Sequence, residues 1–162
     1  MYKATRELIS ARQKFTDWKM MQVSVKKIGG GLANECYGNA FDMMKLGHHL
    51  VSGWLVHKYR KDGNFTEIVQ HWWNIDGMGR HFDTTPLPSD EYEYVVDTEI
   101  AEFAHVNYES VSSCVCSSLM LKNGKFFAID MNGEKPIARI ISNLKVENLF
   151  KYEIEGEYLM AA

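Results

Sequence analysis

Residues 65–85 read FTEIVQHWWNIDGMGRHFDTT, in which two apolar runs flank the turn signal Asp-Gly-Met-Gly. This pattern predicts a β-hairpin of two antiparallel strands. If Ile75 pairs with Gly79, His71 lies directly opposite Asp83, with the two Cβ atoms about 4.5–5.5 Å apart. The hairpin therefore predicts that the carboxylate of Asp83 accepts a hydrogen bond from the imidazole N–H of His71 and fixes the tautomer of the ring. A shift of one residue would place the two side chains on opposite faces.

The segment before the hairpin, LVSGWLVHKY at residues 50–59, is rich in branched and aromatic side chains and predicts a neighbouring strand. A Lys-Asp-Gly-Asn turn separates the two strands. If Tyr59 pairs with Phe65, Gly53 lies opposite His71. A glycine at that position leaves room for another element to approach the histidine.

A helix is predicted over residues 35–46, with Asn34 as its N-cap and Gly47 at its end. Cys36 would then lie in the first turn, where unpaired backbone N–H groups and the helix dipole favour an anion. A thiol in that position ionises more readily, and a nearby histidine would complete a thiolate–imidazolium pair. The same N–H groups can receive a developing oxyanion. Cysteine, histidine and aspartate are together the parts of a nucleophilic catalyst.

The sequence resembles the transglutaminase-like branch of the papain-like cysteine enzymes in three segments: ECYGNAF (35–41), VSGWLVHKY (51–59) and QHWWNIDGMGRHFDTTP (70–86). The third segment is the most specific, because the core of that family often reads His-x-Trp-Asn, a glycine turn and then Asp-x-Thr. Residues 30–88 carry the resemblance.

The resemblance implies an α+β fold with a papain-like or transglutaminase-like core, in which a nucleophile-bearing helix packs on an antiparallel β-sheet. The matching motif makes Cys36 the nucleophile, His71 the base and Asp83 the acid that orients the base. The implied reaction is acyl transfer at an amide of a protein or peptide, catalysed by a peptidase, an amidase or deamidase, or a transglutaminase. No cofactor is implied.

Three further residues are candidates for substrate contacts. The backbone N–H of Cys36 supplies one oxyanion donor, and Gln22 and Asn34 are candidates for a second. Strand alternation places only one of two adjacent tryptophans beside His71, so Trp73 is the candidate for a cleft wall. The acidic run SDEYEYVVDTE at 89–99 is interpreted as a solvated surface that could favour a basic partner.

Two alternatives remain open at this stage. A metal-dependent hydrolase could bind zinc through His71, His81 and Asp83, with Cys36 as a fourth ligand. This alternative is less favoured because Trp73 would crowd the space between the ligands. The second alternative is a catalytically inactive protein-binding module on the same fold, in which Cys36 is an ordinary apolar core residue.

Composition restricts the classes of function. At 162 residues, the chain is predicted to be a single domain, 1–162. It carries 18 Lys and Arg against 21 Asp and Glu, a balance that gives no footprint for nucleic acid. No apolar stretch has the length of a bilayer crossing, so no membrane association is predicted. Three cysteines cannot all pair within one chain, which favours free thiols in the cytoplasm.

The remaining elements are predicted from local patterns. A first amphipathic helix is expected within residues 3–20, and a short strand at 22–25. A helix is expected at 97–106 and strand character at 108–121, where Cys114 and Cys116 are interpreted as buried structural residues. Asn123-Gly124 predicts a tight hairpin, and the tail from Pro136 is expected to add a strand or a helix.

Overall fold

The computed structural model describes residues 1–62, 65–87, 91–107, 114–116, 118–130, 137–154 and 157–160. Three helices occur in these ranges: α1 (Lys3–Gln13), α2 (Cys36–Lys45) and α3 (Thr98–Asn107). The strands are β1 (Met21–Val23), β2 (Val25–Lys27), β3 (His49–Asp62), β4 (Phe65–Ile75), β5 (His81–Asp83), β6 (Tyr92–Val96), β7 (Cys114–Cys116), β8 (Leu119–Lys122), β9 (Lys125–Asp130), β10 (Ile137–Ile141), β11 (Phe150–Ile154) and β12 (Glu157–Met160). A 3₁₀ turn, Val146–Asn148, precedes β11.

The described strands form two sheets. The larger sheet follows the order β1-β6-β3-β4-β8-β9-β10, and β5 joins it by pairing with β4 and with β2. Its pairs are antiparallel except for the parallel pair of β2 and β5. The smaller sheet has the order β12-β11-β7. The predicted α+β class, with a large antiparallel sheet, is confirmed.

Helices cover one face of the central strands β3 and β4. Even-numbered side chains of these strands join one core cluster with residues of all three helices: Trp54, Trp72, Leu8, Ala40 and Ile100. Odd-numbered side chains lie in a second cluster with a tyrosine of β6: Val51, Leu55, Trp73 and Tyr94. Both faces of residues 51–56 of β3 and of residues 71–74 of β4 are thus buried, which explains why apolar side chains occur on both faces there.

Pairing of β3 with β4 brings Gly53 opposite His71, as predicted. The pairing at the turn differs from the prediction, because Asp62 rather than Tyr59 lies opposite Phe65. A register shift of the β-bulge type lies between the turn and Gly53 and adds residues to β3. The pairing at the histidine is therefore right, although the pairing at the turn was not.

The described part of the acidic run, residues 91–99, is not a solvated surface, and that interpretation was wrong for it. Its centre is β6, an interior strand paired on one side with β1 and on the other with β3. Glu93, Tyr94 and Val95 are buried, with exposed fractions of 8, 3 and 0%. The Tyr-x-Tyr-Val-Val pattern is typical of a strand, and this signal outweighs the acidic residues around it.

Other elements differ from their predictions mainly in where they begin and end. The first helix ends at Gln13, well before residue 20, so Phe15 and Trp18 lie outside it and are 38 and 46% exposed. The strand expected at 22–25 is divided between β1 and β2. The Asn123-Gly124 hairpin is confirmed, with φ values of 51° and 73° that suit a tight turn.

Some predictions fall wholly or partly outside the described residues. The segment 108–121 contains β7 and the start of β8, but 108–113 and 117 are not described. The side chains of Cys114 and Cys116 lie outside the described part as well. Within the described ranges, none of the helices combines the length and hydropathy needed to cross a bilayer.

Gly53 cannot carry a larger side chain without displacing its neighbours. A Cβ there would overlap the carbonyl oxygen of Val95 and lie 2.7 Å from the ring of Trp73. We expect Gly53→Ala to lower the free energy of unfolding by about 3 kcal/mol, measured by urea denaturation, because overpacking a filled site is destabilising.

Gly38→Ala is the matched control for this prediction. A Cβ on Gly38 would meet nothing within 4 Å, and the residue lies inside α2. Because alanine favours a helix over glycine, we expect this variant to be more stable by up to about 1 kcal/mol. Equal effects of the two substitutions would contradict the role of close packing at Gly53.

Candidate active site

A buried hydrogen bond joins the imidazole of His71 to the carboxylate of Asp83. The Nε2 atom of His71 lies 2.7 Å from Oδ2 of Asp83. The two side chains are only 4 and 1% exposed. The contact predicted from the hairpin is therefore present in the structure.

The register that produces this contact is not the predicted one. Ile75 pairs with His81 rather than with Gly79, which displaces β5 by two residues along β4. Because side chains alternate with a period of two, this displacement leaves each side chain on its predicted face. His71 and Asp83 consequently meet as diagonal neighbours instead of directly opposed residues.

The turn between β4 and β5 has five residues rather than three, and Asp76 explains its length. The carboxylate of Asp76 accepts hydrogen bonds from the backbone N–H groups of Met78 and Arg80, at 2.9 and 3.0 Å. It also accepts one from Nε of Arg80 at 2.9 Å. These contacts close a wide loop around the aspartate side chain, as aspartate often does in turns.

Asp83 is held by three further groups. Its Oδ2 accepts a hydrogen bond from the hydroxyl of Tyr94 at 2.6 Å, and its Oδ1 accepts one from the N–H of Thr85 at 2.9 Å. Its backbone carbonyl accepts one from the N–H of Ile28 at 2.9 Å. Burial alone would raise the pKa of Asp83, but the bonds from His71, Tyr94 and Thr85 outweigh it and lower the pKa.

Tyr94 was not found from the sequence. It lies on β6, eleven residues beyond Asp83, in a segment interpreted as a surface. The strand pattern around it was the available signal, since a tyrosine on a buried strand needs a partner for its hydroxyl.

Cys36 is the first residue of α2 and is partly exposed. Its side chain is one of the groups that raise the pKa of the His71 imidazole, after Asp83. Because Nε2 of His71 faces Asp83, Nδ1 is the ring nitrogen left for Cys36. The structure thus brings Cys36, His71 and Asp83 together in the order predicted for a triad.

The start of α2 lacks a capping side chain. The N-cap residue is Glu35, not Asn34 as predicted, and it makes no side-chain cap hydrogen bond. Asn34 lies one position earlier, exposed, with a φ of 61°. The backbone N–H groups of the first turn are therefore available to an anion next to Cys36.

Two buried asparagines position α2. Nδ2 of Asn74, near the end of β4 and off the His71 face, donates to the carbonyl of Ala40 on the helix at 2.9 Å. Nδ2 of Asn39 donates to Oγ1 of Thr85 at 2.9 Å, just beyond β5. Helix, hairpin and triad are thus tied together by polar contacts. Asn39 was not singled out from the sequence.

The charge state of His71 follows from its neighbours. Burial lowers the pKa of its imidazole, but hydrogen bonds and charge interactions with Asp83 and Cys36 outweigh burial and raise the pKa to about 9. His71 is therefore an imidazolium at neutral pH, with Asp83 ionised beside it.

The other candidate residues lie elsewhere. Nε2 of Gln22 donates to Glu93 at 2.9 Å, which engages that amide away from the triad. Trp73 is fully buried and donates from Nε1 to Nδ1 of His81 at 2.9 Å, so it does not line a cleft. Its ring instead stacks on His71 with centroids 6.2 Å apart.

The alternative metal site is not assembled in the described part of the chain, where no group of three or more His, Cys, Asp or Glu side chains could hold a metal ion. Nδ1 of His81 already accepts the bond from Trp73, and Nε2 of His71 faces Asp83. Burial also lowers the pKa of His81.

Comparison with known proteins gives no family for this site. No family model matches the chain, and no curated protein or solved structure matches it.

The charge of His71 should make stability depend on pH. An unfolded histidine loses its proton near pH 6.5, whereas folded His71 keeps it up to about pH 9. The resulting stabilisation is complete below pH 6.5 and is lost as the pH rises through 9. We expect the free energy of unfolding, measured by urea denaturation, to fall by on the order of 3 kcal/mol across this window.

His71→Asn should remove this pH dependence of the free energy of unfolding, because it removes the titrating group. His49→Asn, which replaces an exposed histidine, should retain the pH dependence. A wild-type protein whose stability does not fall between these pH values would contradict the ion pair.

Proposed function

We propose that the protein is a cysteine-dependent acyl-transfer enzyme that acts on an amide, with a Cys36–His71–Asp83 triad. One observation supports this proposal. The His71–Asp83 hydrogen bond is buried, and the partly exposed Cys36 lies beside it at the start of a helix that has no side-chain cap. A charged imidazole beside a thiol favours the thiolate, which is the nucleophilic form.

The first half-reaction forms a thioester. The thiolate of Cys36 attacks the carbonyl carbon of the amide, and the carbonyl electron pair moves to oxygen. The oxygen electron pair then re-forms the carbonyl as the C–N bond breaks, and His71 donates its Nδ1 proton to the leaving nitrogen, so that the amine departs and the thioester remains. Asp83 remains ionised, holds the imidazole in the required tautomer and stabilises its charged form.

The second half-reaction releases the acyl group. Neutral His71 accepts a proton from the incoming nucleophile, which attacks the thioester carbon, and the thiolate of Cys36 leaves. Water as the nucleophile makes the enzyme a peptidase, amidase or deamidase, and a second amine makes it a transglutaminase. The amide substrate proposed is that of a protein or peptide.

The architecture supports a papain-like or transglutaminase-like core. In such a core, a helix bearing the nucleophile packs on an antiparallel sheet bearing the histidine and the aspartate. Here α2 begins at Cys36 and packs on β4, and β4 and β5 carry the other two residues. A thiolate nucleophile also needs a reducing setting, which makes the cytoplasm the compartment proposed.

A protein-binding module is the second candidate, and the outer surface of α2 favours it. Tyr37, Phe41 and Met44 follow helical spacing and are 51, 37 and 37% exposed. An exposed apolar stripe of this kind is typical of a surface that contacts another protein. Such a module needs no reactive thiolate at Cys36.

The pH dependence of iodoacetamide labelling, mapped by mass spectrometry on the native protein, separates the two functions. We expect Cys36 to be alkylated at neutral pH in the native protein, because the imidazolium of His71 beside it favours the thiolate. His71→Ala should slow this labelling at neutral pH, because the imidazolium that stabilises the thiolate is lost.

Cys36→Ser is the control that assigns the labelling to Cys36, since labelling at this position must disappear in that variant. If Cys36 reacts only after unfolding, or if wild type and His71→Ala share one profile, the triad is inert. The binding module would then be the better account.

A further inference from the structure

We propose that Tyr94 is a positioning residue of the triad, because its hydroxyl shares one oxygen of Asp83 with His71 and so limits how strongly that carboxylate holds the imidazolium. The inference rests on the proposed acyl transfer and names a group that adjusts its acid–base residue. In both half-reactions His71 must exchange a proton with the reacting groups. A carboxylate whose oxygen bonded to His71 alone would hold that proton more firmly.

The hydroxyl of Tyr94 and the imidazole of His71 donate to the same atom. Oδ2 of Asp83 lies 2.6 Å from the hydroxyl oxygen of Tyr94 and 2.7 Å from Nε2 of His71. The other oxygen, Oδ1, accepts the N–H of Thr85 at 2.9 Å. A carboxylate oxygen has two lone pairs and can accept both bonds. The negative charge that faces the imidazole is therefore divided between two donors.

The shared oxygen lies in a buried, largely aromatic environment. Tyr94, His71 and Asp83 are all buried. The ring of Tyr94 packs edge-on against the rings of His71 and Trp73, with centroids 5.9 and 5.2 Å apart. These contacts fix the ring that carries the hydroxyl. In surroundings of low polarity, a fixed O–H dipole acts on a neighbouring charge more strongly than it would in water.

Packing alone does not require the hydroxyl. The other buried members of the cluster that contains Tyr94 are apolar or aromatic: Val51, Leu55 and Trp73. Phenylalanine would fill the same space and bury the same ring. What tyrosine adds at this position is the bond to Asp83, so the hydroxyl is the part of the side chain that needs a functional explanation.

The hydroxyl acts on the two partners of the ion pair in opposite directions. Burial raises the pKa of Asp83, whereas the bonds from His71 and then from Tyr94 lower it. The hydroxyl hydrogen is partly positive and shares its acceptor with the N–H of His71, so it disfavours the charged imidazole. Removing the hydroxyl should therefore raise the pKa of His71, since the full charge of the carboxylate would then act on the ring.

The groups that act on the His71 ring come from three elements. Burial lowers its pKa, and Asp83 on β5 and Cys36 on α2 raise it. Tyr94 on β6 contributes a dipole rather than a charge, and the stacked ring of Trp73 is uncharged. Removing Asp83 or Cys36 should thus lower the pKa of His71. Removing the Tyr94 hydroxyl should have the opposite effect, which gives this residue a distinct signature.

Hydrolysis of the thioester is the step at which this adjustment matters most. His71 must then be neutral, because it accepts a proton from the attacking water. At a pH below its pKa, the neutral fraction of a histidine falls about tenfold when the pKa rises by one. By opposing the pull of Asp83, Tyr94 keeps more of His71 in the form that this step uses.

Tyr94→Phe removes the hydroxyl and retains the ring. We expect the NMR titration of the His71 imidazole to move to higher pH than in wild type. Hydrolysis of the acetyl thioester that p-nitrophenyl acetate forms on Cys36 should slow at neutral pH, with its pH profile displaced in the same direction. Alkylation of Cys36 by iodoacetamide at neutral pH should be unchanged, because His71 is an imidazolium there in both proteins.

Tyr92→Phe is the matched control, because it removes a hydroxyl two residues earlier on the same face of β6, where the ring packs on His57 with centroids 4.7 Å apart. It should leave all three measurements unchanged. The assignment is overturned if Tyr94→Phe leaves the His71 titration unchanged or moves it to lower pH, as a general loosening of the site would. A wild-type protein that is alkylated but not acylated would instead overturn acyl transfer itself, whatever the titration of Tyr94→Phe shows.

Discussion

The buried hydrogen bond between His71 and Asp83 is the interaction on which the site depends. An ionised carboxylate that is 1% exposed must be compensated, because desolvation of an unpaired charge is highly unfavourable. His71, Tyr94 and Thr85 provide the compensation, and they lie on β4, on β6 and just after β5. Because the buried Asp83 carboxylate needs these hydrogen bonds, it holds the three segments in the arrangement that directs the imidazole of His71 toward Cys36.

Buried amides extend this arrangement to the helix. Asn74 ties the middle of α2 to β4, and Asn39 ties it to Thr85 beyond β5. These bonds fix how far α2 can slide along the strand, which apolar packing alone would specify less sharply. The reactive start of the helix consequently stays level with His71.

Period-two alternation explains which features could be predicted from the sequence. The contact of His71 with Asp83 survives a register error of two residues, because both side chains keep their faces. The predicted loop length was wrong because the side chain of Asp76 closes a five-residue turn through local hydrogen bonds, whereas the same residues also suit a three-residue loop. Tyr94 was not predicted for a different reason: the acidic residues of its segment indicated a surface, whereas burial of the strand gives the tyrosine hydroxyl its partner on Asp83.

An NMR titration of the His71 imidazole tests the central claim most directly, namely that Cys36, His71 and Asp83 form one charged unit. The account predicts that His71 remains an imidazolium through neutral pH and loses its proton near pH 9. Both Asp83→Asn and Cys36→Ala should shift that titration to lower pH, since each removes a negative partner. A wild-type ring that titrates at or below about pH 6.5, the value of an isolated histidine, would contradict the charged unit and the chemistry proposed from it.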